Sequence, residues 1–257
     1  MNLVSPHLPS LRYASWLGRA ARLPLKFIPS EASLPILRGP LRGKLWIAGA
    51  SVHGCWLGSY EIEKILLLKE RVTSGSVVFD IGAQAGYHTL LAAGLVGPRG
   101  CVYAFEPQPR NIAYLQKHIA MHALTNVVVI DAAVADYEGT ASFDCGSSCM
   151  AGHLSDDGSL SVKCLQLDQE VLSGRLPVPD FLKIDVEGAE LKVLHGALRT
   201  ICNRHPEIFL DTHEFLGGEF SSIHSQCCSY LAGLGYSVEL IGPSNAEYAR
   251  EVHAWVV

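Results

Sequence analysis

From about residue 61 onward, this 257-residue sequence alternates short, continuous apolar runs with segments of helical period, and that rhythm restricts the fold more than any other feature. A run that is apolar on both faces must be covered on both faces. Such runs form parallel sheets wrapped by helices, whereas a half-solvated strand alternates apolar with polar residues. The pattern predicts helices at 61–72, 87–96, 111–123, 189–203 and 222–234, and strands at 77–82, 102–106, 127–131, 181–186, 208–211, 236–241 and 254–257. Residues 139–145 and 160–167 read as an added antiparallel pair. The expected architecture is a doubly wound α/β sheet of about seven, mostly parallel strands. In such sheets ligands bind at the carboxyl ends of strands, near the point where the strand order reverses.

Upstream of residue 61 the character changes. Prolines 24, 29, 35 and 40, with Gly39 and Gly43, make 24–44 poor helix, and 45–57 reads as strand pieces around Gly49 and Gly54. The division expected is therefore a basic N-terminal arm and cap over 1–60 and a ligand-binding domain over 61–257. Residues 1–45 hold Arg12, Arg19, Arg22, Lys26, Arg38, Arg42 and Lys44 against Glu31 alone, a net +6 that leaves −11 on the remainder of a chain totalling −5. An acidic body argues against a nucleic-acid partner. The basic arm is compatible with a transit peptide, a peripheral membrane contact, an attractor of anionic substrate, or a solvated cap. No apolar leader core follows the first residues and no run reaches the roughly 18 apolar residues of a membrane span, so the expected compartment is the cytoplasm. Eight cysteines without a C-x-x-C pair support neither structural zinc nor thioredoxin-like chemistry.

The strand ends carry the candidate chemistry. Asp80-Ile-Gly82-Ala83-Gln84-Ala-Gly86 is a glycine turn between a buried strand and a helix, where a ligand can approach backbone and helix N-terminus. A dinucleotide fingerprint would want a small residue at Gln84, and Asp80 would repel a pyrophosphate. Those two residues disfavour a nicotinamide oxidoreductase. They suit S-adenosylmethionine, which brings an ammonium, a sulfonium and a single carboxylate. Glu106 ends the next strand 24 residues after Gly82, close to the spacing of an acid that accepts from a ribose diol. Asp131, with Ala132 beside it, ends the third strand, where an adenine amino group could be met. Pro107 and Asn111 read as structural, the one stopping the strand and the other capping the helix or facing the pocket.

The fourth strand ends in Lys183-Ile-Asp185-Val-Glu187-Gly-Ala-Glu190, three carboxylates within six residues. Strand alternation sends Asp185 and Glu187 to the same side, while Glu190 suits the first helical turn on dipole grounds alone. The fifth strand adds Asp211, His213 and Glu214. Asp185, Glu187 and His213 are the candidates for a general base, since adjacent carboxylates raise one another's proton affinity and a histidine titrates near neutrality. The same groups could ligate a metal, but their spacing matches no metal signature, and none is expected. His88, His118 and His122 read as surface or satisfied-core residues.

Four blocks in order, FDIGAQAGYHTLLAA, VYAFEPQPRNIAYLQKH, LKIDVEGAELKVLHGA and IFLDTH, preceded by WLGSYE, resemble the FkbM-type S-adenosylmethionine-dependent methyltransferases over about residues 56–213. The resemblance implies a Rossmann-like class I methyltransferase sheet. It implies Asp80, Gly82 and Gly86, with Ala83 and Gln84 between them, at the methionine end of the cofactor. Glu106 would meet the ribose, with Asp131 and Ala132 near adenine. It further implies O-methylation of a sugar, glycolipid or other small natural product; by their placement, Tyr60, Glu61 and the N-terminal cap are expected to help cover the cofactor and choose the acceptor. Gln84 stands where the family commonly has Asn, and His122 where Asn is common. The readings to be weighed against a methyltransferase are a non-catalytic nucleoside- or partner-binding module on the same fold and, less favoured, an NAD-dependent oxidoreductase.

Overall fold

The computed structural model describes residues 25, 27–146, 152–213, 222–241 and 249–255; Arg12, Arg19, Arg22, Lys26 and Glu214 lie outside the described residues. Its centre is a seven-stranded sheet of order β12-β13-β11-β10-β3-β4-β5. The strands are β3 (Val77–Ile81), β4 (Cys101–Phe105), β5 (Val127–Ile130), β10 (Phe181–Ile184), β11 (Glu207–His213), β12 (Ser237–Ile241) and β13 (Ala249–Trp255). The five from β3 to β11 pair in parallel, and β13 inserts antiparallel between β11 and β12. Their apolar residues are sealed in on both sides: Phe79, Phe105, Leu182, Ile184, Ile208 and Leu210 are buried on one face, and Val78, Val102, Phe181 and Phe209 on the other.

Helices α1 (His53–Leu57), α2 (Ile62–Arg71), α3 (Tyr87–Val96), α4 (Pro109–Met121), α5 (Leu167–Leu172), α6 (Glu190–Gly196), α7 (Leu198–Arg204) and α8 (Ser222–Gly233) complete the described layers. Helix α3 is buried almost all round, as its lack of a polar stripe requires. Helix α4 opens on Pro109, whose fixed φ and missing N–H suit a first helical position. Short strands β6 (Ala133–Val134), β7 (Gly139–Asp144), β8 (His153–Leu154) and β9 (Leu160–Leu165) form a separate sheet of order β6-β9-β7-β8, which enlarges the expected antiparallel pair.

Two expectations are revised. The stretch 45–57 is not all strand, because after β2 (Leu45–Ile47), paired with β1 (Ser33–Pro35), it folds into α1. The 189–203 helix is two helices that meet at Ala197, where Gly196 lies so close to the Ala135 carbonyl that a side chain has no room. Among the described residues no helix is long and apolar enough to cross a membrane.

The cap docks through histidine. Ile36, Leu41, Trp46, Cys55 and Trp56 share one buried cluster with Tyr87, Leu90 and Leu91. His118 on α4 stacks on Trp46 at 4.0 Å between ring centroids and accepts the Ile47 amide on Nε2 at 3.0 Å. That bond fixes the tautomer, so Nδ1 carries the proton and donates to the Ala85 carbonyl at 2.8 Å, inside the glycine turn. Burial lowers the His118 pKa from 6.5 to about 4. The native state therefore binds fewer protons than the unfolded chain between those values, and stability falls as pH drops through that window. We expect His118 to contribute a slope of up to about 1.4 kcal/mol per pH unit there. Denaturant titrations at pH 5 and 7 should show that slope reduced in His118→Phe. His118→Ala, which loses both bonds and the stack, should destabilise by about 3 kcal/mol at pH 7.

Candidate functional site

The strand order reverses between β3 and β10: the chain runs outward through β4 and β5 on one side and through β11 on the other. A cleft opens at the carboxyl ends of such a pair. Gly82, with φ of +78°, passes so close to the Asp185 carbonyl that a Cβ would collide with it, and Gly86, with φ of +95°, leaves only 2.5 Å to Leu115 Cδ1 for the same atom. Only glycine satisfies both demands of conformation and space. Between them Gln84 takes φ of +52°, donates its amide to Glu106 Oε2 at 2.8 Å, and accepts Ser51 Oγ on Oε1 at 3.1 Å. Glu106 also accepts the Gln108 amide at 3.0 Å and Asn111 Nδ2 at 3.3 Å. Burial nevertheless raises its pKa. A carboxylate offers about four acceptor positions, so Glu106 retains capacity for a further donor.

A cavity of about 920 Å³, open to solvent, runs along this edge. Gly82, Ala83, Gln84, Glu106 and Ala132 line one part of it. Tyr60, Glu61, Asp185, Glu187 and His213 line another. Asp80, Gly86 and Asp131 are not on the wall: Asp131 is exposed after β5, and Asp80 is 1% exposed. Asp80 faces inward, with Oδ1 3.1 Å from Lys183 Nζ and Oδ2 accepting Thr89 Oγ1 at 2.5 Å. Wall residues that sequence reasoning passed over are His88, Lys183, Phe143 and Leu154. Lys183 left a signal, being a lone cation in an apolar strand two positions before Asp185; Phe143 and Leu154 come from the separate sheet and left none.

The acid end is a dense ionic network. Lys183 Nζ donates to the Gly82 carbonyl at 2.8 Å and lies 3.6 Å from Asp185 Oδ2. Lys64 bonds Asp211 and lies 3.1 Å from Glu61 Oε1. His213 sets Nδ1 3.1 Å from Glu190 Oε1 and Nε2 3.7 Å from both Asp185 and Glu187. Asp185, Asp211 and His213 bring one donor atom each within 4.8 Å of one another, although Lys64 already supplies a cation to Asp211.

The network separates proton affinities. Burial raises Glu187 to about 7, opposed by the His213 charge and aided by Asp185. Burial also opposes ionisation of Asp185, but Lys183, His213 and Lys64 together hold it well below the usual carboxylate range. For His213, burial is outweighed by the Glu190 bond and the Asp185 and Glu187 charges, which raise it to about 10. At neutral pH His213 is therefore a cation, Asp185 a committed anion, and Glu187 poised to gain or lose a proton. His88, lowered to about 3 by burial and the Lys183 charge, is neutral 3.2 Å from Glu61 Oε2.

S-adenosylmethionine fits this wall on physical grounds. Its net positive charge would meet the wall carboxylates of Glu61, Glu106, Asp185 and Glu187, set against the wall cations Lys183 and His213. Glu106 retains capacity for a ribose hydroxyl, and the Gln108 Oε1 acceptor is buried without a hydrogen-bond partner.

Comparison with known proteins agrees. Residues 80–238 match the family described as Methyltransferase FkbM domain. The hexuronic acid methyltransferase AglP of Haloferax volcanii is 31% identical over 138 residues, which cover 53% of this chain and 56% of AglP. The chain thus spans about half the length of that curated relative. Among solved structures, the methyltransferase FkbM from Methylobacillus flagellatus KT superposes with a TM-score of 0.53 at 17% identity, covering 70% of this chain and 43% of that one. A precorrin-6y C5,15-methyltransferase from Geobacter metallireducens gives 0.50 at 18% identity, over 81% and 94%. Both share the fold. The chain belongs to the FkbM methyltransferase family and has the class I methyltransferase fold.

Proposed function

We propose that the chain O-methylates a hydroxyl of a sugar, glycolipid or similar small natural product, with Glu187 as general base. The observation that carries this reading is a carboxyl group, Glu187, 3.7 Å from His213 on the wall of the cavity that the glycine turn also lines, with its proton affinity raised by burial. When bound, S-adenosylmethionine supplies an activated methyl group on its sulfonium. The residues of the chain do the rest. Gly82, Ala83, Gln84 and Glu106 bind the nucleoside and amino-acid portions, and Ala132 borders the base. Tyr60 and Glu61, from the turn before α2, cover the site. Tyr60 remains a neutral phenol, since burial and the Glu61 charge push its pKa well up. The ionised Glu187 carboxylate takes the acceptor hydroxyl proton as the oxygen attacks, and Asp185 and His213 orient it. Alignment and exclusion of water contribute alongside deprotonation. His213 is a poor base at neutral pH because it is already protonated. The sugar assignment is supported by the likeness to AglP, a hexuronic acid methyltransferase by name.

Three outcomes are expected. Saturating S-adenosylmethionine at 100 times its Kd should stabilise the protein by about 2.7 kcal/mol, read as a rise in Tm. Glu106→Ala should shrink that rise and NAD should give none. With a glycan acceptor, Glu187→Gln should lower kcat on the order of 10²- to 10⁴-fold with little change in cofactor affinity. The wild-type rate should climb as pH rises through about 7, because the base works only when deprotonated, and Glu187→Gln should lose that limb. Full turnover in Glu187→Gln, or an unchanged pH profile, would remove Glu187 from the role.

A further inference from the structure

At the acid end of the cavity the cations of the described wall are already engaged. The three N–H groups of Lys183 face the Gly82 carbonyl at 2.8 Å, Asp80 at 3.1 Å and Asp185 at 3.6 Å. His213 has Nδ1 on Glu190 and Nε2 between Asp185 and Glu187. Lys64, behind Glu61, is held by Glu61 and Asp211. Acceptor oxygens, by contrast, remain within reach: the Glu187 and Glu61 side chains keep 25% and 19% of their exposure.

We infer that the ring presenting the reacting hydroxyl is an uncharged sugar with a second hydroxyl next to the first, both donating to the carboxylates of Asp185 and Glu187. This deepens the O-methylation reading and rests on it. A carboxylate or phosphate on that ring would face the carboxylates of Asp185, Glu187 and Glu61, and among the described residues the wall cations Lys183 and His213 are already set against acids of their own. At about 5 Å and an effective dielectric of about 20, one such encounter opposes binding on the order of a hundredfold. Two hydroxyls instead supply donors to oxygens that water would otherwise satisfy, and they do so with charge-assisted bonds. The adjacent hydroxyl also fixes which oxygen meets Glu187. Acceptor preference would then differ from the hexuronic acid in the name of AglP, to which the chain is 31% identical over 138 residues.

The test is a panel of methyl hexopyranosides, each paired with its C6 carboxylate and with its monodeoxy analogues, assayed for transfer of labelled methyl from S-adenosylmethionine. We expect kcat/KM for the neutral ring to exceed that for the matched uronate at least tenfold, and removal of the neighbouring hydroxyl to lower it at least tenfold. In Glu187→Gln the absolute rate falls, but the neutral-to-uronate ratio should narrow about tenfold, because the lost rate divides out and one like charge is gone. Glu61→Gln should narrow the ratio in the same direction. Equal or faster methylation of the uronates would overturn the inference and leave sugar O-methylation standing. No transfer to any sugar of the panel, with the Tm rise by S-adenosylmethionine intact, would overturn both.

Discussion

Lys183 holds the site together. An ammonium in the middle of a sheet, 3% exposed, is tolerated only when its charge and its N–H groups are answered. Asp80 answers from β3, Asp185 from just beyond β10, and the Gly82 carbonyl from the turn between. Burial lowers the proton affinity of Lys183, yet Asp80 and Asp185 more than restore it, so the group stays charged. The contact ties together the carboxyl ends of two neighbouring strands whose connections leave in opposite directions. Backbone hydrogen bonds of the β3–β10 pair, continued by the Asp185 amide on the Ile81 carbonyl at 3.0 Å, bring Gly82 close to Asp185, and the Lys183 ion pairs lie at the same end of the junction.

From that pin the electrostatics of the cavity follow. Once Lys183 is spent on Asp80 and Asp185, the other acids must share Lys64 and His213. His213 is held in its charged form by Glu190 on one ring nitrogen and by Asp185 and Glu187 facing the other. Glu187, the most exposed of the three partners of His213, is raised by burial and the Asp185 charge, against the His213 charge, to about 7, while Lys183, His213 and Lys64 hold Asp185 down. Neighbouring carboxyl groups whose environments push their proton affinities apart divide the work between them: one stays ionised and positions, the other exchanges a proton. The same excess of negative charge favours a cationic cofactor and disfavours an anionic acceptor.

Much of this was legible in the sequence, and the part that was not has a physical reason. Continuous apolar runs from 77 to 82 and 181 to 186 specify buried parallel strands, and the four ordered motif blocks, Gly82 and Gly86 among them, specify the family. Local pattern also brings Asp185 and Glu187 to one side of the chain. What local pattern cannot see is pairing across the sheet. Asp80 ends a strand like a ligand, yet in the register of β3 with β10 it lies opposite Lys183, and both its oxygens are taken inside the protein. His118 sits on a helix like any surface histidine, but the partners that define it, Trp46, Ile47 and Ala85, are 33 or more positions away. Phe143 and Leu154 reach the cavity from a sheet of their own, so no spacing could have enlisted them.

Backbone strain marks the same place. Five described non-glycine residues have positive φ: Glu61, Gln84, Ala123, Glu187 and His205. Three of the five, Glu61, Gln84 and Glu187, line the cavity. A left-handed conformation disfavours a residue with a side chain by on the order of 1–3 kcal/mol, and a turn with no chemical duty would have settled on glycine. Glycine at these three positions would relieve the backbone but abolish the groups that act there: the Gln84 amide oxygen held by Ser51, the Glu61 carboxylate beside Lys64 and His88, and the Glu187 carboxylate facing His213. In each case the left-handed turn aims a polar side chain from a strand end or helix start at the space where ligand must sit. Neighbouring contacts hold the strain: the Glu106 carboxylate on the Gln84 amide, Lys64 on Glu61, and Gly188, itself at φ of +98°, immediately after Glu187. At Glu61, Gln84 and Glu187 the strain falls where the cavity wall carries a polar side chain.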